Sequence, residues 1–430
     1  MPPAARAAPA GTSDPPRPLS ASSAPRSSLG LPLSPSSARL PHPIGSPSGV
    51  VAVGGAHAGG MDGDQRGVPA EGDPDLPAEG DPDRPQGLLR EFQDAVTTRS
   101  ALLVLGVMAL GVLFIASYAG AFHHPVPKGI TLGVVAPAGA SGRLVAELDS
   151  LPGHPVAPHA VDSAAEARRR IRDRDLYGAL VVSPRGRTDQ LLVAAGGGPP
   201  AAQALQQIAT RVAAAQRPAR AVTTLDLAPV GSGDFHGLSS FYLVVGWCVG
   251  GYLCASILAV SYGARPVNLR RAIMRLAVLA GYAISSGLLG AVVIGPILGA
   301  LPGGVVPLWW LGALTVFAVG AATFAFQGLA GVIGIGLTIL VVVIAGNPSA
   351  GGAYPYPLLP PFWRAIGPAL PPGAGTWSAR SIAYFGGRGL LGPMLVLGAW
   401  ALCGTVVTLA AAVFGGRVRP VVPPEAASAV

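Results

Sequence analysis

Apolar positions along this chain fall into three kinds of pattern, and each predicts a different kind of element. Leu88, Leu89, Phe92 and Val96 share one helical face while Arg90, Glu91, Gln93, Asp94 and Arg99 fall elsewhere, which predicts a short amphipathic helix. It leads directly into residues 101–121, an uncharged run that meets the roughly 20 residues a bilayer core requires. Ala119 and Ala121 resemble a cleavage site, but a removable leader has an apolar core of only about 7–15 residues, so we expect a retained anchor.

Shorter, alternating segments come next. Residues 130–136, 156–161, 177–182, 190–194 and 221–227 read as strands, and 141–151 and 200–215 as helices. Ser163, three residues before Glu166, forms a capping box that starts a further helix reaching Asp173. Together they predict a small α/β domain over residues 122–236. Beyond it come five more apolar runs, at 238–262, 275–300, 305–326, 328–346 and 390–414. The expected fold is therefore an α-helical membrane protein of six transmembrane helices, with the α/β domain inserted between helices 1 and 2. The domain plan is 1–87 disordered tail, 88–121 amphipathic helix and first span, 122–236 insert, 237–416 spans two to six with an outer loop at 347–389, and 417–430 tail.

Residues 1–87 show no hydrophobic period and are rich in Pro, Ser, Gly and Ala, so they bury too little surface to offset ordering entropy. An octapeptide recurs within them, at 69–76 and 77–84, and reads as a spacer. Met61 opens the acidic stretch, and translation beginning there is one reading of the tail.

Composition sharpens this picture. Half of the 430 residues are hydrophobic and only 12% charged, whereas about a quarter of an ordinary soluble protein is charged. Every basic residue except Lys128 is an arginine, which, with the Ala, Gly and Pro excess, reads as codon bias of a GC-rich bacterial genome. The +8 balance does not indicate nucleic acid, whose binders cluster basic residues on one face. The largest cluster, Arg168, Arg169, Arg170, Arg172 and Arg174, alternates with Asp173 and Asp175 and is expected to be a solvated helix face. Cys248, Cys254 and Cys403 lie in apolar runs and predict neither a disulfide framework nor a thiolate metal site.

Charge also orients the spans. The loop of residues 263–275 carries Arg265, Arg270, Arg271 and Arg275, and the C-terminal tail carries Arg417 and Arg419. Short basic loops stay in the cytoplasm, which puts both termini inside and the insert outside the plasma membrane. The uncharged turn at 301–307 then falls outside.

The chemistry is defined by what is missing. From Phe235 to Pro424 there is no Asp or Glu, and no His follows His236. Ion-coupled carriers keep ionisable residues inside their spans, so an intrinsic proton or ion motor is not expected. No phosphate-binding loop is encoded either. Gly328, Gly331, Gly334 and Gly336, and the pairs Gly246/Gly250 and Gly295/Gly299, read as helix-packing glycines. His123, His124, His154 and His159 match no metal spacing and are expected at the surface; Ser239 and Ser240 lack a neighbouring base. We assign no catalytic, cofactor-binding or metal-binding residue and expect no enzymatic activity. Residues 347–388 combine Tyr354, Tyr356, Phe362, Trp363, Trp377, Tyr384 and Phe385 with Pro360, Pro361, Pro371 and Pro372. Two readings stand for them: a re-entrant or interfacial segment over an exit path, or a structural outer loop anchored among headgroups.

One span, a large insert, then five spans with a Pro/aromatic outer loop before the last: this layout resembles the membrane subunit of type 2 ABC exporters, in the branch of phage infection proteins and related actinobacterial permeases. Residues 130–136, the helix with Glu166 and Ala167, and the run Tyr177, Gly178, Ala179, Leu180, Val181, Val182 resemble that family's insert. Residues 358–360 and 370–373 resemble its outer loop, with Pro360, Pro361, Trp363, Pro371, Pro372 and Gly373 as its marked positions. The resemblance implies a homodimer in the lipid bilayer, driven by a separate cytoplasmic ATP-binding subunit and exporting lipids, drugs or other amphipathic molecules. Leu88, Leu89, Phe92 and Val96 would then form the interfacial helix, and Arg265, Asn268, Arg270 and Arg271 the ATPase-coupling loop. Family members often carry an acidic residue in that loop, and here it is wholly basic. The alternatives are a non-transporting scaffold or surface receptor whose outer domain binds a partner and, third, a secondary carrier.

Overall fold

The computed structural model describes residues 98–263 and 268–416. The predicted tails, the amphipathic helix of Leu88, Leu89, Phe92 and Val96, and Arg265, Arg417 and Arg419 lie outside the described residues. Helix α1 (Thr98–Phe122) opens the described chain and leads into the insert. The insert's elements are β1 (Ile130–Val135), α2 (Ser141–Asp149), β2 (Val156–Ala160), α3 (Ala164–Arg172), β3 (Gly178–Val181), β4 (Thr188–Val193), α4 (Pro199–Ala215) and β5 (Ala221–Asp226). The five strands form one sheet in the order β2-β1-β3-β4-β5. β1 runs parallel to β2 and β3, β3 antiparallel to β4, and β4 parallel to β5.

Strand alternation explains the packing. Ile130, Leu132 and Val134 of β1 point to one face and meet Leu144 and Leu148 of α2 and Leu205 of α4. Ala179 and Leu192 point to the other face, against Ala167 and Ile171 of α3. That second face also buries Phe385, contributed from almost two hundred residues further along. α3 starts where the capping box puts it: the Ser163 hydroxyl accepts from the Glu166 amide at 3.1 Å, while the Glu166 carboxylate pairs with Arg169.

After the insert come α5 (Ser239–Tyr262), α6 (Leu269–Val292, prolonged by a wide turn through Ile297), α7 (Val305–Ala330), α8 (Ile333–Ser349), α9 (Pro361–Ile366), α10 (Pro371–Tyr384) and α11 (Leu391–Gly416). Among the described residues, five helices are long and apolar enough to cross a membrane: α1, α5, α6, α7 and α11. This is the build of a multi-pass membrane protein. α7 is its centre, with 61% of its most apolar stretch buried against 6% for α1. Glycines let the neighbours approach α7 closely. A methyl group on Gly251 of α5 would lie 2.7 Å from the Val316 carbonyl oxygen, on Gly287 of α6 2.5 Å from the Ala313 nitrogen, and on Gly404 of α11 2.6 Å from the Ala321 carbonyl carbon. Small residues supply backbone contact where water expulsion cannot drive helix association.

The structure differs from the sequence-based plan in three places. The run expected at 328–346 is divided, because Gly328 belongs to α7 and Gly331 turns the chain at φ +63. The helix beyond that turn, α8, is shorter than the five spans, though apolar. α6 begins at Leu269 instead of 275, so Arg270, Arg271 and Arg275 are helical. The Arg275 guanidinium donates to the Tyr262 and Gly263 carbonyls at 2.9 and 2.8 Å and so caps the C-terminus of α5. Residues 347–389 are no simple loop: they hold α9 and α10, and nearly all of α10 is buried.

α8 runs parallel to α1. A side chain on Gly336 would touch Leu110, the Ser117 hydroxyl donates to the Ile344 carbonyl, and Tyr354 meets Phe122 at 5.8 Å between ring centroids. The insert, α10 and the turn between α6 and α7 therefore share one end of the bundle. A methyl group on Gly303 of that turn would lie 2.6 Å from the Ile382 carbonyl oxygen of α10.

Candidate functional site

Proline starts the helices that form the junction between insert and bundle. Pro361 opens α9, and Pro371 and Pro372 open α10, where a missing amide hydrogen costs nothing. Gly373 follows in a space with no room for a side chain, against Gly367 and the Tyr356 hydroxyl. One turn further on, α10 presents Trp377, Arg380, Ser381 and Tyr384 to the insert.

Arg380, only 4% exposed, is the hub. Its guanidinium donates to the carbonyls of Gly351 (2.7 Å), Gly352 (2.7 Å), Gly237 (3.0 Å) and Gly197 (3.4 Å). One planar fork thereby ties the β4–α4 connection, the entry to α5 and the exit of α8 to α10. Desolvation lowers its pKa, opposed by Tyr177 and Asp234. Beside it the Tyr384 hydroxyl donates to Asp234 (2.5 Å), whose other oxygen accepts from the Ser239 amide (2.8 Å) at the N-terminus of α5. A carboxylate there complements the helix dipole.

Arg174 enters the junction from the insert. It leaves α3 in the left-handed region, at φ +68, and its guanidinium lies 3.5 Å over the Trp377 ring centre and 4.8 Å from that of Phe385. It donates to the Trp377 carbonyl (2.7 Å) and to the Ser381 hydroxyl (2.6 Å). Desolvation draws its pKa down to about 9, so it stays a cation at neutral pH. The same burial raises the Tyr177 phenol. Arg174 is thus no part of a solvated face, unlike the exposed Arg169 and Arg172. At the rim Arg388 pairs with Asp173 (2.6 Å), and Arg364 of α9 donates to the Lys128 carbonyl (2.8 Å).

This junction is structural in its chemistry. Two crevices open at it, of about 20 and about 10 Å³, room for a water molecule at most. Ligand-sized space lies elsewhere. A cleft of about 770 Å³ runs beside β5, lined by Gln203, Gln206, Thr224, Asp226, Phe235 and His236. A mostly apolar cleft of about 610 Å³ separates the neighbouring ends of α5 and α6.

The residues singled out from sequence are scattered. Asn268 is the N-cap of α6, accepting from the Arg271 amide at 2.9 Å, and Arg270 and Arg271 are exposed in its first turn. Pro360 precedes α9, Trp363 lies on it half-buried, and Pro371, Pro372 and Gly373 are buried in α10. His123 and His124 are exposed, and among the described residues no group of three or more His, Cys, Asp or Glu could hold a metal ion. Sequence reasoning missed Arg174, Asp234, Arg380 and Tyr384 as a set. The available signal was arginine inside an aromatic, acid-free segment, together with glycine clusters at 196–198 and 351–352, whose backbone carries no side chain of its own. Comparison with protein-family models, with curated proteins and with solved structures gave no match.

Proposed function

We propose that this chain is the membrane-spanning subunit of an ATP-driven exporter of lipids, drugs or other amphipathic molecules. It crosses the plasma membrane six times, α8 being the short fifth span. Both termini are cytoplasmic, and the insert, α9 and α10 lie outside. The observation that carries the reading is the absence of every Asp, Glu and His from Ser239 to Gly416 in a bundle tied to a large outer assembly. Transport by such a bundle takes its energy from a partner. A homodimer with Arg270 and Arg271 facing cytoplasmic ATPase subunits supplies it, and the chain itself performs no chemistry. Tagged protein purified from its native host in mild detergent is expected to bring down a subunit with a phosphate-binding loop and ATPase activity. Purification without any nucleotide-binding partner sinks the proposal.

A second reading rests on the polar cleft beside β5. Phe235, 80% exposed, stands at its edge, and β5 is an uncovered edge strand. A surface receptor would bind an extended peptide there.

A further inference from the structure

The apolar cleft between α5 and α6 sits among helices that face lipid, and its construction is specific. Glycine makes the room on both walls. A side chain on Gly290 would collide with the Trp247 indole, while one on Gly246 would meet nothing within 4 Å and would project into the opening. Trp247, 2% exposed, forms the floor and is pinned by its indole nitrogen to the Ser286 carbonyl at 3.3 Å. Tyr282 closes the deep end, since a methyl group on Gly250 would lie 2.8 Å from its hydroxyl oxygen. At the mouth stand Tyr242 and Leu289, 61% and 64% exposed. The far wall includes Val293 and Ile294 in the wide helical turn that carries Pro296, a kind of irregularity that frequently marks functional sites.

We infer that this cleft binds one acyl chain of a bilayer lipid from the leaflet on the insert's side. Four observations select that occupant. The cleft opens onto exposed apolar residues on the same helix faces, Leu253 and Ile257 of α5 and Val278 of α6, so the phase it meets is hydrocarbon. Its α6 wall runs from Tyr282 to Ile294, about 18 Å of helix, comparable with the ~15 Å of one leaflet. Its volume of about 610 Å³ and its apolar lining with few hydroxyls match a small-molecule site. Tyr242, one turn from the helix start, places its hydroxyl at headgroup level, where tyrosine is enriched. The inference rests on the bilayer placement of α5 and α6 and not on ATP-driven export.

Photolabelling of the full chain tests it. The protein is placed in nanodiscs of phosphatidylcholine doped with a phosphatidylcholine carrying a diazirine midway along one chain, and labelled peptides are mapped. Label is expected to concentrate on residues 242–250 and 282–294 over the exposed face of α11 at Leu395 and Leu402. Gly246→Leu starts from a Cβ that meets nothing within 4 Å and projects into the cleft, and is expected to abolish that excess while α11 labelling persists; Ser285→Leu, at the rim, should do the same. Equal labelling of cleft and α11, or an excess that survives both substitutions, overturns the inference. So does an inter-chain disulfide formed by Gly246→Cys, which would give the cleft to a second copy. Failure to label α11 as well would remove the bilayer placement itself.

Discussion

Replacing Arg380 with methionine is expected to destabilise the folded protein by about 3–5 kcal/mol, because its hydrogen bonds to four backbone carbonyls are lost together. The four glycine carbonyls it serves would stay buried, and each unsatisfied acceptor costs roughly 1–3 kcal/mol. Relief of desolvating the cation returns part of that sum. Arg380→Lys should recover little, because a point-like ammonium cannot copy a planar fork holding four acceptors. The damage should be local in origin. Amides around 195–198, 236–239 and 350–353 should lose hydrogen-exchange protection first, while the strands β1 and β3 keep theirs. An unchanged melting temperature, or loss of protection spread evenly through the chain, would contradict the role given to Arg380.

The second large effect lies in the bundle. Gly287→Ala places a methyl group against the backbone of α7, where no rotamer change offers relief, and overpacking of this kind costs about 1–3 kcal/mol or more. Gly251→Ala and Gly404→Ala meet α7 backbone in the same way. Gly281→Ala and Gly398→Ala put the same methyl group where nothing lies within 4 Å. There the helix propensity of alanine dominates, a gain of up to about 1 kcal/mol. Thermal unfolding in detergent should separate the two groups by sign. Equal effects in both would mean that close approach to α7 is not what holds the bundle.

The insert was legible because its signals are local. Alternation along 130–136 and 177–182 fixes which side chains face which layer, and Ser163 with Glu166 marks a helix start within four residues. The long apolar runs are read from composition in the same way. Errors arose where local signals point two ways. An apolar run across Gly328 and Gly331 reads as one span, although a glycine at positive φ divides it. Prolines at 360–361 and 371–372 suggest a loop, yet proline at a first helical position starts a helix. Glycine spacing revealed packing only in part: Gly250, Gly328 and Gly334 lie against Tyr282, Ala411 and the α7 backbone as expected, but Gly246 and Gly299 face open space, and the close approaches of Gly251, Gly287 and Gly404 carry no spacing signal. Arg174 and Arg380 were the least legible. Their partners are carbonyls and rings brought together from segments up to about two hundred residues away, and no pattern near an arginine announces that.

One measurement bears most directly on the central claim, that the insert and the α9–α10 segment form a single outer assembly over a bundle whose α5–α6 connection lies inside. Single cysteines are introduced at Ala146, Phe362 and Arg270, all exposed, in a chain with Cys248, Cys254 and Cys403 replaced. A membrane-impermeant maleimide applied to intact cells should label positions 146 and 362 alike and reach 270 only after permeabilisation. Labelling of 146 and 362 from opposite sides, or of 270 together with 146 in intact cells, would contradict the account.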